Sequence, residues 1–407
     1  MAIRNRDSRW GGARARLAGL ARLWERSRPW LWRDVLAPLA ITRLALLLVG
    51  WFSRYFPASA DYPIQAALAR GWQFSPHRLL DIWGRWDSGW YLNIATNGYG
   101  LRGDLQAVQS NVGFLPLYPY LIKLLALLLP SGLRTRGGLL LVGVVISNLF
   151  LLGALILLHR LVASLRGDEE TAGRTVAYLL LFPTSFFFSC AYTESVYLFF
   201  SVAAFWAASK QRWGVAGLMG GFSALTRPVG VLILMPLVWQ YLDARAWRVR
   251  RMRWDAGWLL LVPAGLLTFL WGVYPVTRSL LAPLQTQAAW DKAWTSPWAT
   301  WLHPTGVSQF ITPVDQACAI GFLALAVVAL WRLSSASLGL YTLLLILPPL
   351  FSGTLASMAR YCAVAFPAMV ALAWLSQRRW VDGLVRGVFF TFQVLLMVAW
   401  SQFYWVG

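Results

Sequence analysis

Charged residues are scarce in this sequence, and acidic residues are the scarcer sign. Asp, Glu, Lys and Arg together make up 13% of the 407 residues, about half of the roughly 25% that a soluble domain carries. Hydrophobic residues account for 58% of the chain, and apolar runs of membrane length recur from residue 35 to residue 404. This composition excludes an ordinary soluble domain. It predicts an all-α polytopic membrane protein with about 11 to 12 hydrophobic segments.

Cysteine and histidine are almost absent, with three residues of each type. Cys190, Cys318 and Cys362 lie in or beside apolar segments and are too scattered for a disulfide framework or a metal site. We interpret them as small apolar side chains in helix packing. His77 and His303 have no His, Cys, Asp or Glu neighbour at ligand spacing. The sequence therefore predicts no cofactor and gives no support for a divalent metal.

The net charge of +20 invites a nucleic-acid interpretation, which the distribution of the charge contradicts. The basic residues cluster between apolar runs, as the positive-inside rule requires. No zinc-finger spacing, RNA-binding signature or Gly-rich phosphate loop is present. We predict membrane lipid rather than nucleic acid as the partner of this chain.

The chain divides into a basic lead, 1–33, and a polytopic membrane domain, 34–407. The lead carries nine Arg against two acidic residues, which predicts a cytoplasmic or interfacial location. We expect the first apolar run to stay as an anchor, because no small-residue cleavage site follows it. Two long polar intervals, 53–112 and 277–312, interrupt the apolar segments.

The positions of the basic loops predict the topology. Seven apolar segments precede the strongly basic loop 243–254, so with a cytoplasmic N-terminus one of them does not cross. The candidate is 113–130, because Pro116, Pro119 and Lys123 are each unfavourable in a plain span. Both long intervals and the C-terminus then lie outside a cell membrane. The heavy use of Arg indicates a bacterial inner membrane.

The most informative stretch lies in the first long interval. If 79–97 forms one helix, Asp87 falls on its tryptophan-rich face, whereas Arg85 and Asp81 pair at i, i+4 on the wet face. A carboxylate on an apolar face is costly unless it is paired or used. Two interpretations stay open: a reactive carboxylate, or an interfacial acid that turns toward an arginine from elsewhere in the chain.

Other ionisable residues fall near segment ends on the inferred outer side. Glu194 either acts in a site or stabilises a helix start together with Thr193 as its cap. Arg227 and Arg360 are either snorkelling cations or a guanidinium pair that binds phosphate. Arg85 joins this pair if its helix is not continuous.

The second interval contains a periodic aromatic series. Its members either stack on a sugar or an isoprenoid, or form an interfacial belt. They are Gln287, Trp290, Trp294, Trp298 and Trp301.

Several short motifs follow one another in order along the chain. They are Arg85-Trp86-Asp87-Ser88 with Trp90-Tyr91 and Gly98-Tyr99; Phe114-Leu115-Pro116-Leu117-Tyr118-Pro119; Tyr192-Thr193-Glu194-Ser195; Leu225-Thr226-Arg227-Pro228-Val229-Gly230; Gln287-Ala288-Ala289-Trp290 with Pro297-Trp298; and Arg360-Tyr361 with Phe366-Pro367. This ordered set resembles the PIG-V type mannosyltransferases, which are integral-membrane glycosyltransferases of the GT-C class. The resemblance extends from about residue 35 to residue 376, and the first motif is the most specific one.

The resemblance implies a polyprenyl- or dolichyl-phosphate mannose donor, inversion in a single displacement, and a catalytic base in the first external loop, where Asp87 is the matching position. Ser88 stands where many GT-C relatives have a second acid, so a metal shared by two acids is doubtful. The residues that we expect to bind substrate or phosphate are Arg85, Glu194, Arg227, Arg360, Tyr361, Gln287 and Trp290.

The predicted function is transfer of mannose from the lipid phosphate to an unidentified glycan or lipid acceptor. One alternative is a transporter or lipid flippase, because many helices and buried charges also suit that class. The sequence shows no convincing internal repeat, and both long intervals lie on one side, which favours an enzyme. A second alternative is a GT-C transferase for a different sugar.

Overall fold

The computed structural model describes residues 29–56, 73–101, 103–303, 311–333 and 335–406, and no β-strand occurs within these ranges. Most of the basic lead, part of the first interval (57–72) and part of the second (304–310) lie outside the described residues. The all-helical, polytopic fold is therefore confirmed for the part of the chain that the structure describes.

The longer helices are numbered here in chain order. The first seven are α1 (Leu31–Ser53), α2 (Ser88–Asn97), α3 (Leu117–Ala126), α4 (Arg136–Arg166), α5 (Glu169–Leu181), α6 (Glu194–Ser209) and α7 (Trp213–Thr226). The others are α8 (Pro228–Asp243), α9 (Trp254–Thr277), α10 (Thr312–Arg332), α11 (Ala336–Leu350), α12 (Met358–Ala363), α13 (Phe366–Leu375) and α14 (Arg379–Ser401). Five of them, α1, α4, α9, α10 and α14, are long and apolar enough to cross a membrane. Five shorter apolar helices, α3, α6, α8, α11 and α13, accompany them.

The helices run between two ends of one bundle. At the first end, the Asp34 carboxylate at the start of α1 lies 3.1 Å from His159 Nε2 in the second half of α4. Arg166, which ends α4, donates a hydrogen bond of 3.1 Å to the carbonyl of Arg332, which ends α10. Arg245, in the basic loop between α8 and α9, lies 5.7 Å from the ring centroid of Trp213, which begins α7 at the end opposite Arg227. We call this the basic end.

At the opposite end of the bundle, the C-terminal end of α14 packs against the first polar interval. Trp400 Nε1 donates a hydrogen bond of 2.7 Å to the carbonyl of Ile82. The Arg85 guanidinium lies 4.0 Å from the centroid of the Phe403 ring, and the Trp86 and Trp405 rings are 5.4 Å apart. We call this the site end, because the candidate site residues lie here.

α3 does not cross the bundle. Its ten residues span about 15 Å at 1.5 Å per residue, half of a roughly 30 Å hydrocarbon core. Tyr118 near its start donates a hydrogen bond of 3.0 Å to the carbonyl of Gly143 in the first half of α4. Just before α4 begins, Arg134 donates hydrogen bonds back to the carbonyls of Leu127 and Leu129. The chain thus enters and leaves α3 at the site end, and whether 113–130 crosses a membrane stays a prediction.

The expected continuous helix over 79–97 is wrong. A single turn, Arg78–Asp81, is followed by an irregular stretch in which Trp86 has a φ of 47°, and α2 begins at residue 88. The break arises because the Arg85 guanidinium folds back onto the carbonyls of Asp81 and Gly84. The predicted Arg85–Asp81 pair does form, at 2.9 Å, but both side chains are buried rather than on a wet face.

Two glycines on α7 allow close packing against α9. A Cβ placed on Gly217 would lie 2.0 Å from the carbonyl oxygen of Trp258, and one on Gly221 would lie 2.7 Å from that of Leu261. Small residues at this spacing let two membrane helices bring their backbones together. The Gly217–Gly221 pair is therefore a packing feature of the contact between α7 and α9.

We predict that Gly217→Ala destabilises the protein by about 1–3 kcal/mol, the range for overpacking a well-packed interface. Gly272→Ala on α9 is the matched control, because a Cβ there would meet no atom within 4 Å. Equilibrium unfolding in mixed micelles measures both variants. Equal stabilities of the two variants would contradict this account of the helix contact.

The arrangement of α3 predicts the labelling pattern of introduced cysteines. In a background without the three native cysteines, Asp104→Cys and Arg134→Cys should react with a membrane-impermeant maleimide from the same side of sealed vesicles. Arg250→Cys in the basic loop should react only from the other side. Labelling of residue 134 from the side of residue 250 would mean that α3 crosses the membrane.

Candidate active site

Four ionisable side chains from four helices meet at the site end. Arg360 Nη1 lies 3.0 Å from Asp87 Oδ2, and Arg360 Nε lies 3.3 Å from Glu194 Oε1. Arg227 Nη1 lies 2.5 Å from the same Glu194 oxygen. We call Asp87, Glu194, Arg227 and Arg360 the ionic cluster. The structure thus brings together the proposed base and both proposed phosphate-binding arginines.

Helix ends place these side chains. Asp87 immediately precedes α2, and Glu194 is the first residue of α6, so each carboxylate lies near a positive helix N-terminus. Arg227 directly follows α7, and Arg360 lies in the short helix α12. The Thr193 side chain makes no capping hydrogen bond to α6. The carboxylate of Glu194 is instead directed at the two arginines.

The four side chains of the cluster differ in their exposure to solvent. The side chains of Glu194 and Arg227 are 1% and 7% exposed, whereas that of Asp87 is 15% exposed. Asp87 accepts a side-chain hydrogen bond from Arg360 through Oδ2, and its Oδ1 has no hydrogen-bond partner among the described residues. Asp87 is therefore the more accessible of the two carboxylates in the cluster.

Tyr192 holds the backbone on which Asp87 is mounted. The Asp87 N–H donates to the Tyr192 hydroxyl at 3.1 Å, and that hydroxyl donates to the Arg85 carbonyl at 3.0 Å. The Arg360 guanidinium lies 5.3 Å from the centroid of the same ring. Sequence reasoning did not select Tyr192 as a site residue, although it opens the Tyr192-Thr193-Glu194-Ser195 motif.

Tyr361 adds a phenol to the cationic side of the cluster. Its ring centroid lies 5.2 Å from the Arg227 guanidinium. Lys292 in the second interval, together with Arg360 and Arg227, lowers the pKa of Tyr361 to about 8, although burial acts in the opposite direction. Lys292 was also missed in the sequence, where nothing local distinguishes it from an ordinary loop lysine.

The remaining predicted residues lie around the cluster or apart from it. Arg85 is fully buried in its pair with Asp81, so the structure does not bring it to the cluster. Trp290 packs edge-on against Trp90, one helical turn beyond Asp87, at 6.2 Å between ring centroids. Gln287 binds the carbonyl of its neighbour Pro283 at 3.2 Å.

The outer tryptophans of the second interval lie largely in the open. Trp294 and Trp298 are 86% and 78% exposed, which is typical of an interfacial belt.

A polar cavity of about 140 Å³ opens beside the C-terminal half of α2. Its wall is ordered by Asn111, which donates hydrogen bonds to Asn93 Oδ1 at 2.9 Å and to the Gly98 carbonyl at 3.0 Å. The lining residues are Trp90, Asn93, Asn97, Gly98, Tyr99, Gly100, Leu101 and Asn111. Within the described ranges, no group of three or more His, Cys, Asp and Glu side chains is placed to hold a metal ion.

The Tyr361 environment predicts a spectroscopic titration. The wild-type minus Tyr361→Phe difference spectrum should show one phenolate forming near pH 8. Cations stabilise the phenolate, so Lys292→Gln should move this step up toward the ordinary tyrosine value of about 10, whereas Lys292→Arg should not. A step that does not move in Lys292→Gln would contradict the assigned cause.

Comparison with known proteins shows one family similarity. Residues 70–252 match the family described as Mannosyltransferase (PIG-V), a range that includes Asp87, Glu194 and Arg227. No curated protein matches the chain.

Among solved structures, the chain is similar to the archaeal oligosaccharyltransferase AglB from Archaeoglobus fulgidus in complex with an inhibitory peptide and a dolichol-phosphate. The identity is 12%, the TM-score is 0.48, and the match covers 94% of this chain and 56% of that one. A second structure, the Archaeoglobus fulgidus oligosaccharyltransferase tethered to an acceptor peptide, gives 10% identity, the same coverages and a TM-score of 0.48. The chain therefore spans a little over half the length of these structures. Over residues 70–252, a little under half of its length, the chain is similar to the family of PIG-V type mannosyltransferases.

Proposed function

We propose that this protein transfers mannose from a polyprenyl- or dolichyl-phosphate mannose donor to an acceptor hydroxyl at the site end, with inversion at the anomeric carbon. The observation that carries the proposal is the ionic cluster. It places one accessible carboxylate, Asp87, 3.0 Å from an arginine that also faces Glu194. The family implies a lipid-linked sugar donor, and the membrane-length helices suit a substrate with an isoprenoid tail.

Asp87 is the base of this reaction. Its unengaged Oδ1 accepts the proton of the acceptor hydroxyl while the hydroxyl oxygen attacks the anomeric carbon. The bond from that carbon to the phosphate oxygen breaks, and its electron pair leaves on the phosphate. The contact from Arg360 to Oδ2 holds the carboxylate in one orientation. Positioned base catalysis contributes about 10²- to 10⁴-fold to the rate.

Arg227 and Arg360 bind the phosphate and offset the charge that it gains on leaving. Each guanidinium donates a hydrogen bond to one carboxylate of the cluster through Nη1, and each has further N–H groups for phosphate oxygens. The cluster itself carries two charges of each sign, and Lys292, which lowers the pKa of Tyr361, adds a third cation on the side of that phenol. This excess of positive charge favours an anion and supports the proposed donor.

The surroundings of Asp87 support an acceptor that approaches along α2. Trp90 stacks on Phe114 with the ring centroids 5.7 Å apart and meets Trp290 edge-on. The polar cavity continues from Trp90 toward the end of α2. An aromatic platform next to side-chain amides suits a hydroxyl-bearing molecule. The acceptor itself is unidentified.

We also propose that the site end is extracytoplasmic. The loop 243–254 carries five Arg and lies at the basic end, which the positive-inside rule assigns to the cytoplasm. A bacterial inner membrane stays a prediction from the Arg-rich composition.

The principal test is Asp87→Asn in purified protein, supplied with radiolabelled polyprenyl-phosphate mannose and an acceptor lipid extract. We expect transfer to fall at least 10²-fold, because the amide cannot take the acceptor proton, while donor binding persists. Asp104→Asn is the matched control, since Asp104 is an exposed acid of the same interval. Retained transfer in Asp87→Asn would remove the role of Asp87. Movement of the lipid between leaflets by wild-type protein, without transfer, would indicate a flippase.

A further inference from the structure

The backbone of Ala359, immediately before Arg360, is held from two sides. The Ala359 N–H donates a hydrogen bond of 2.8 Å to Asp315 Oδ1 on α10. Its carbonyl accepts one of 3.0 Å from Thr184 Oγ1, in the segment between α5 and α6. Asp315, Thr184 and Ala359 are all within 2% of complete burial. A helix and a connecting segment that are remote in sequence thus bind the backbone next to Arg360.

α12, which carries Arg360, has little to orient it on its own. It contains six residues and follows Ser357, which has a left-handed φ of 71°. A helix this short is marginal in isolation, and the N–H groups of its first turn have no partner within the helix. Its N-cap residue makes no side-chain capping hydrogen bond. The Asp315 carboxylate supplies that bond from another helix.

A carboxylate at the position of Asp315 is unfavourable for folding. It has no measurable exposure, and its Oδ2 has no hydrogen-bond partner among the residues that the structure describes. Burial of a carboxylate with an unsatisfied oxygen is unfavourable. The contact that Asp315 does make is to the residue adjoining Arg360, and this points to a role in the site rather than in general packing.

Thr184 connects this peptide to the other half of the ionic cluster. The chain runs from Thr184 through the helical turn Ser185–Phe188 to Tyr192 and Glu194. The segment that holds the Ala359 carbonyl therefore also carries Glu194, which faces Arg360 at 3.3 Å. Thr184 fixes the spacing between the two elements that supply Glu194 and Arg360.

We propose that Asp315 and Thr184 are positioning residues. They hold the backbone N–H and carbonyl of Ala359 so that Arg360 lies between Asp87 and Glu194. The inference rests on the proposed function of Arg360. A shift of about 1 Å in a catalytic group costs on the order of 10²-fold in rate. Loss of either hydrogen bond should therefore lower kcat more than it changes KM for the donor.

The first test compares threonine variants that differ in one hydrogen bond. Thr184→Val removes the donor with little change of shape and should lower kcat at least tenfold, whereas Thr184→Ser keeps the hydroxyl and should restore it. Thr175→Val is the matched control. Thr175 is a fully buried threonine of α5 that donates at 2.8 Å to Thr171, within its own helix. Equal kcat in Thr184→Val and Thr175→Val would overturn the proposal.

The second test separates the hydrogen bond of Asp315 from its charge. Asp315→Asn keeps an oxygen that accepts the Ala359 N–H and should keep most of the wild-type kcat. Asp315→Ala removes the hydrogen-bond acceptor and should lose most of the wild-type kcat. An equal loss in both variants would contradict a positioning role through this hydrogen bond.

Hydrogen exchange gives a readout that does not require transferase activity. The amides of residues 358–361 should exchange at least tenfold faster in Thr184→Val and Asp315→Ala than in wild-type protein or Thr175→Val. If wild-type protein transfers no mannose, the proposed function fails, and exchange still reports on the two hydrogen bonds to Ala359. Unchanged exchange in both variants would refute the positioning role of Asp315 and Thr184 even in an active enzyme.

Discussion

The contact of Arg360 with Asp87 and Glu194 is the interaction on which the arrangement of the site end depends. Three helices contribute to it, and a fourth adds Arg227 on the far side of Glu194. Removing charges from water is costly, and a buried pair that loses one member is strongly destabilised. The arrangement is favourable only while all four helix ends stay in register. The same requirement keeps an acid, two cations and a route for the substrate within one small volume.

Short helices make this polar site compatible with a membrane protein. α7 has 14 residues and is about 21 Å long, which is less than the roughly 30 Å hydrocarbon core. Arg227 at its end therefore lies within the depth that membrane-length helices such as α4 occupy. Irregular backbone and charge are tolerated at such depth where they line a protein-enclosed cavity. α3 and α12, with ten and six residues, are shorter still.

Much of this arrangement was predictable because it follows from hydrophobic length and from charge. Pro116, Pro119 and Lys123 marked the segment that forms the short helix α3. Asp87, Glu194, Arg227 and Arg360 stood out because ionisable side chains at apolar segment ends need partners. Periodicity could not show the break before α2, since the left-handed residue there is Trp86, and that conformation is uncommon for a bulky side chain. Arg85 was grouped with the phosphate-binding residues by its position, whereas its guanidinium binds Asp81 and the carbonyl of Gly84 within the same turn.

The residues that escaped sequence reasoning share a physical reason. Tyr192 and Lys292 act through neighbours that are distant along the chain, and neither breaks a local pattern. A tyrosine in an apolar run and a lysine in a loop are ordinary in a membrane protein. Their roles appear only when the fold places the Asp87 backbone against one and the Tyr361 phenol near the other.

The contact between the C-terminal end of α14 and the first interval has a consequence for biosynthesis. Trp400 holds the Ile82 carbonyl, and Phe403 covers the Arg85 guanidinium, so the loop bearing Asp87 receives part of its support from residues made more than 300 positions later. Because chains are synthesised from the N-terminus, a ribosome still elongating this protein has already delivered the acid to the membrane without its final support. The loop that bears Asp87 therefore reaches its final structure late, when α14 inserts and packs against the first interval.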